Sequence, residues 1–78
     1  MQVHVIVDYE SYTSNPKDFT ILTTAYKDYE AALKDFKNAV QHVKDDYENA
    51  WIDYDDDDIF SMTCDDYVRL IRIDTLTL

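Results

Sequence analysis

The 78-residue chain has no glycine, a single proline (Pro16) and a single cysteine (Cys64). Without glycine it cannot form the phosphate-cradling loops of nucleotide-binding fingerprints or Walker motifs, which need a residue lacking Cβ where backbone meets phosphate. One cysteine excludes an intramolecular disulfide and a Cys-rich metal site, and it fits a reduced, intracellular setting. No run approaches the ~18 apolar residues of a membrane span. The opening Met1 to Val7 has no basic segment followed by a long apolar one, so no signal peptide is expected. Positive charge is also scarce: 7 Lys and Arg face 17 Asp and Glu, for a formal net charge of -10. That charge repels nucleic acid and anionic membranes and attracts basic surfaces, so direct DNA, RNA or lipid binding is not expected.

What remains is enough for a fold. Hydrophobic residues are 46 % of the chain, with 7 Tyr, 3 Phe and 1 Trp among them, which argues against disorder despite the charge. The length allows one domain, residues 1–78, in which one helix and one small sheet share a core.

Val3, Val5, Val7 and Tyr9 alternate with His4, Ile6, Asp8 and Glu10. The period of two predicts a first strand with its Val-rich face in the core. Ser11 to Lys17, with Pro16, reads as a longish turn. Phe19 to Ala25 reads as a second strand. From Tyr29 the period changes: Tyr29, Leu33, Phe36, Val40, Val43, Tyr47 and Ala50 step by three and four, predicting an amphipathic helix with Asp28 as N-cap and a Glu30–Lys34 pair. Ile59 to Cys64 reads as a strand, Asp65-Asp66 as a tight turn, and Tyr67 to Leu76 as a last strand with no single apolar face, as expected of a central or bulged strand. The sum is an α+β fold, a four-stranded antiparallel sheet in the order β-β-α-β-β with the helix across one face. The other face, with His4, Ile6, Leu22 and Ile71, is expected to be partly apolar and open to a partner or a second copy.

The densest feature is Asp45, Asp46, Glu48, Asp53, Asp55, Asp56, Asp57, Asp58, Asp65 and Asp66: ten carboxylates with no Lys or Arg between them. Folding does not ask for this. Asp45, Asp46 and Glu48 sit at the negative end of the helix dipole, where basic residues are preferred, and like charges raise the self-repulsion of a compact state. Asp53 to Asp58 favours neither helix nor strand interior. Carboxylates two apart on extended backbone lie ~6.7 Å apart on one face, and those three or four apart on a helix ~5–6 Å. Those spacings are close to that of successive phosphates, so the array suits a basic groove that holds nucleic acid. Trp51 and Tyr54 flank the acids and suit anchoring roles.

Other chemistries fit less well. Asp53, Asp55 and Asp57 resemble the opening of a calcium loop, but Asp58 stands where glycine is needed and Cys64 where a bidentate Glu is needed; weak divalent-cation binding is the most this run supports. His4 and His42 have no nucleophile or carboxylate motif tied to them, and the acidic neighbours of Cys64 disfavour its thiolate. No catalytic residue, metal site or cofactor is expected.

With Asp45-Asp46-Tyr47-Glu48 and Asp53-Tyr54-Asp55-Asp56-Asp57-Asp58 on its surface, the chain resembles the small acidic proteins of bacteriophages and mobile elements that block host defences, including anti-CRISPR and anti-restriction DNA mimics. The likeness lies in size, charge and absence of catalytic motif. It implies a non-enzymatic inhibitor, cytoplasmic in a bacterial host, that occupies the nucleic-acid channel of a CRISPR effector or restriction nuclease. The expectation from a different class is an acidic adaptor or homodimeric accessory module that binds a protein partner through its open sheet face.

Overall fold

The computed structural model describes residues 1–78 as an α+β fold of one helix and a five-stranded antiparallel sheet. Strands β1 (Gln2–Tyr12) and β2 (Asn15–Tyr26) precede helix α1 (Tyr29–Asp46), and β3 (Trp51–Asp55), β4 (Ile59–Cys64) and β5 (Tyr67–Thr77) follow it. The order across the sheet is β2-β1-β5-β4-β3, so the first and last strands are central neighbours. No helix is long and apolar enough to cross a membrane.

The sheet therefore has one strand more than the four that composition suggests. Trp51–Asp55 pairs with β4 although Asp is a poor strand former, because it is an edge strand whose solvated aspartates need no partner. The Ser11–Lys17 turn shrinks to Thr13–Ser14, and Pro16 falls inside β2. That position is permitted because β2 is the opposite edge and bonds only to β1.

The helix forms where its periodicity places it. Asp28 is the N-cap and accepts from the Glu30 backbone N–H. Ala32, Phe36, Val40 and Val43 are buried, and helix α1 packs on β1, β2 and β5. It stops at Asp46, short of Ala50, with the Tyr47 N–H closing back on the Val43 carbonyl. The Tyr47 ring stacks on Tyr67, with ring centroids 4.9 Å apart.

The face covered by the helix is the reverse of the one the valines suggest. His4 and Ile6 are buried beneath the helix, together with Phe60, Met62, Tyr67, Ile71 and Ile73, while Val3, Val5 and Val7 point the other way. His4 is held by its Nδ1 against Thr75 Oγ1 at 2.9 Å and by the edge of the Tyr29 ring, so its polar atom is matched. The open face is thus the valine face, and His4, Ile6, Leu22 and Ile71 do not lie on it. In β5, Tyr67, Arg69, Ile71 and Ile73 share the helix side with Ile6, and Val68, Leu70, Arg72, Asp74 and Leu76 share the other. The strand has no register shift against β1 or β4. It carries apolar residues on both faces because it is central. The irregularities lie at the edge pairings, between Ser11 and Tyr12 and between Ile52 and Tyr54.

Candidate functional site

Register and ion pairs fix where the ten acids go. Tyr54 lies opposite Ser61 and Trp51 opposite Thr63, which places both rings on the open face, 58 % and 74 % exposed. Ile52 opposes Met62 and Asp55 opposes Phe60, which sends these two to the helix side. The shift between Ile52 and Tyr54 leaves Asp53 as the extra residue of a bulge, and its Oδ2 accepts from Thr63 Oγ1 at 3.1 Å. Asp53 and Asp55 consequently do not share a face, contrary to an undisturbed alternation. Asp56, Asp57 and Asp58 complete the link to β4, closed by the Asp56 N–H on the Ile59 carbonyl and the Ile73 N–H on the Asp58 carbonyl, each at 2.9 Å.

On the helix side Lys44 Nζ reaches Asp55 Oδ2 at 2.7 Å and lies 5.7 Å from the centre of the Phe60 ring. This pair holds the end of the helix, with Asp45, Asp46 and Glu48 beyond it, against the acidic edge. Asp45 also accepts from Gln41 Nε2 at 2.8 Å. A cleft of about 360 Å³ lies between helix and loop, lined by Phe36, Lys37, Val40, Gln41 and Lys44 on one side and Asp55 to Asp57 on the other. Lys37 and Lys44 place positive charge beside a run that has none in sequence. The only cue was the helical spacing that puts Lys37, Gln41 and Lys44 on one side of the helix.

Asp65 and Asp66 stand elsewhere. They form the two-residue turn from β4 to β5, at the end of the sheet where Tyr12 opposes Tyr67. The Asp66 carbonyl accepts from the Thr13 N–H at 2.7 Å, and its side chain accepts from the Ser14 hydroxyl, so Asp66 ties the two turns together. Asp65 has φ 54°, the one positive value in the chain, and occupies the turn position glycine would usually take. The ten acids thus divide into an edge array from helix end to loop and a separate turn. All ten are exposed. Nowhere do three His, Cys, Asp or Glu side chains gather closely enough to hold a metal ion.

A second polar cluster had no sequence signal. Arg69 grips Asp8 with Nε–Oδ1 at 2.6 Å and Nη2–Oδ2 at 2.7 Å, Tyr67 donates its hydroxyl proton to Glu10 at 2.7 Å, and Arg69 Nη1 donates to the Tyr67 oxygen at 3.1 Å. Burial, then the hydrogen bond to Glu10, push the Tyr67 phenol up. The bidentate contact with Asp8 raises Arg69 further above its already high value. No buried side-chain polar atom lacks a partner, and these contacts make the cluster a bolt between β1 and β5. Tyr26 likewise donates to Asp35, and that bond raises its phenol.

No protein-family model, curated protein or solved structure matches this chain.

Proposed function

We propose that the chain is a non-enzymatic inhibitor that presents carboxylates in place of nucleic-acid phosphates and blocks a basic channel in a CRISPR effector or restriction nuclease, within the cytoplasm of a bacterial host. The observation that carries this reading is the acidic edge: Asp53 and Asp55 to Asp58 are exposed on a strand and its closing loop, pinned by ladder bonds to β4 and by Lys44. A fixed array meets a basic groove without the ordering entropy a flexible acidic tail would lose. Because of the bulge, the charges point to both sides of the edge, so the array is a ridge that enters a channel rather than a flat strip. Asp45, Asp46 and Glu48 extend the ridge from the helix end.

The test measures capture of nucleic-acid-binding defence nucleases by wild type and by a variant with Asp55 to Asp58 all changed to Asn. The proposal expects capture by wild type that guide RNA or DNA displaces, that weakens steeply as salt rises, and that the Asn variant loses. Equal capture by both proteins refutes it.

A further inference from the structure

The sheet face turned away from the helix is closed by a second copy of this chain, packed face to face: we infer this from the apolar character, charge and dimensions of that face, independently of the acidic edge. Although 46 % of the residues are hydrophobic, only ten are buried. Much of the remainder lies on the open face. Two transverse rows show it. Phe19, Ser11, Val68, Thr63 and Trp51 lie in register across all five strands, and one step along are Ile21, Tyr9, Leu70, Ser61 and Tyr54. Phe19 is 55 % and Ile21 52 % exposed at one margin, matched by Trp51 and Tyr54 at the other.

In β1 the contrast is within one strand. Its helix side carries His4, Ile6, Asp8 and Glu10, and its open side Val3, Val5, Val7 and Tyr9. A strand whose more apolar side faces water is expected where another layer covers it.

Size and charge select the occupant. The molecule measures 40 × 25 × 16 Å. Strands of 11, 12, 5, 6 and 11 residues, at ~3.3 Å per residue and ~4.8 Å between strands, make a face of about 700 Å² in plan, close to the ~800 Å² per partner of a standard stable interface. On a chain of net charge -10, the formal charges of β1 and β5 on this face are Arg72 and Asp74, and these pair with each other at 3.1 Å. The central face is therefore neutral, and two like-charged copies can meet on it while the acidic ridge stays at the margin. Pairing through sheet edges is opposed at β3, which carries the aspartates, and at the start of β2, where Pro16, Lys17 and Asp18 follow Asn15. A two-fold axis along β5 would set Phe19 and Ile21 of each copy over Trp51 and Tyr54 of the other, large margin on large margin, with Val68 and Leu70 near the axis.

The experiment is sedimentation equilibrium of the full chain from low to high micromolar concentration, in low and in 0.5 M salt. Wild type is expected at twice 9.2 kDa, and more tightly associated in high salt, because screening removes repulsion between the copies. That salt trend is opposite to the one expected for capture by a basic nuclease, so the two proposals fail separately. Leu70→Lys should weaken association at least about 100-fold, since closure would desolvate an unpaired ammonium, while far-UV circular dichroism shows the fold retained. Val7→Lys provides a second variant on the same face should Leu70→Lys not fold. In a Cys64→Ser background, Phe19→Cys with Trp51→Cys should be joined between copies by a bis-maleimide of about 10 Å reach, the spacing of packed sheets. A monomer throughout, a dimer indifferent to every folded lysine variant, or a monomer that instead binds neutral phosphatidylcholine vesicles overturns the inference.

Discussion

Arg69 and Asp8 meet through two parallel hydrogen bonds, 2.6 and 2.7 Å long, across the central β1–β5 pair, and both side chains are about four-fifths shielded from water (22 % and 20 % exposed). A fork-to-fork contact in this setting fixes register as well as attracting charge, because a slip of β1 by one residue would carry Asp8 to the other face. Removing one partner leaves the other largely shielded from water and unmatched. Asp8→Ala or Arg69→Met should each destabilise by about 1–3 kcal/mol, and the double variant by less than the sum. Urea unfolding of the four proteins measures this.

Tyr67 gives a pH signature. Its phenol is raised in the folded protein, so the neutral form is favoured there relative to an unfolded tyrosine near 10. The contribution is fully present below about pH 10 and is lost as pH rises through the folded value, because the unfolded chain then releases a proton the folded one keeps. Stability should decline above about pH 10 in wild type and less steeply in Tyr67→Phe, as read from unfolding midpoints at pH 9 to 11.

Phe60 is fully buried at the centre of the core, against the helix. In a domain this small, Phe60→Ala should cost about 3–5 kcal/mol, a large part of the about 5–15 kcal/mol total stability of domains in general. Loss of the cooperative thermal transition, or a fall in its midpoint of more than about 12 °C, is the expected result.

Asp65 holds φ 54° in a chain without glycine. Asp65→Gly should stabilise by about 0.5–1 kcal/mol, and Asp65→Val should destabilise by more, since a β-branched residue tolerates positive φ poorly. Denaturant midpoints distinguish the two directions.

Lys44→Ala tests the ion pair that joins helix end to acidic edge. Both of its groups are substantially exposed, so stability should change by less than about 1 kcal/mol. Capture of a basic partner should persist, because the variant is more acidic than wild type.

The helix, its N-cap at Asp28 and four of the five strands were legible because each follows from a local rule: a period of three to four, a period of two, or a capping side chain. The features that were not legible depend on neighbours distant in sequence. Val3, Val5 and Val7 make one side of β1 the more apolar, and local reasoning sends that side to the core. The helix instead lies over His4 and Ile6, where Thr75 and Tyr29 satisfy the imidazole. Edge strand β3 was hidden because aspartate opposes strand formation except where one side of the backbone is solvated. Of the candidate site, the acids and the flanking Trp51 and Tyr54 were visible as composition. Lys44 against Asp55 was not, nor the bulge that turns Asp53 away from Asp55, since both need the folded position of β3.

The β1–β5 adjacency has a consequence for how the molecule forms. Gln2 pairs with Thr77, and within the sheet the β2-β1 hairpin joins β5-β4-β3 only through this pairing of the β1 and β5 strands. During synthesis the first hairpin and the helix emerge with no central partner, and the core residues Ile71 and Ile73 arrive last. Assembly must therefore wait for the final strand to leave the ribosome. Ring closure across almost the whole chain, rather than helix formation, should set the folding rate.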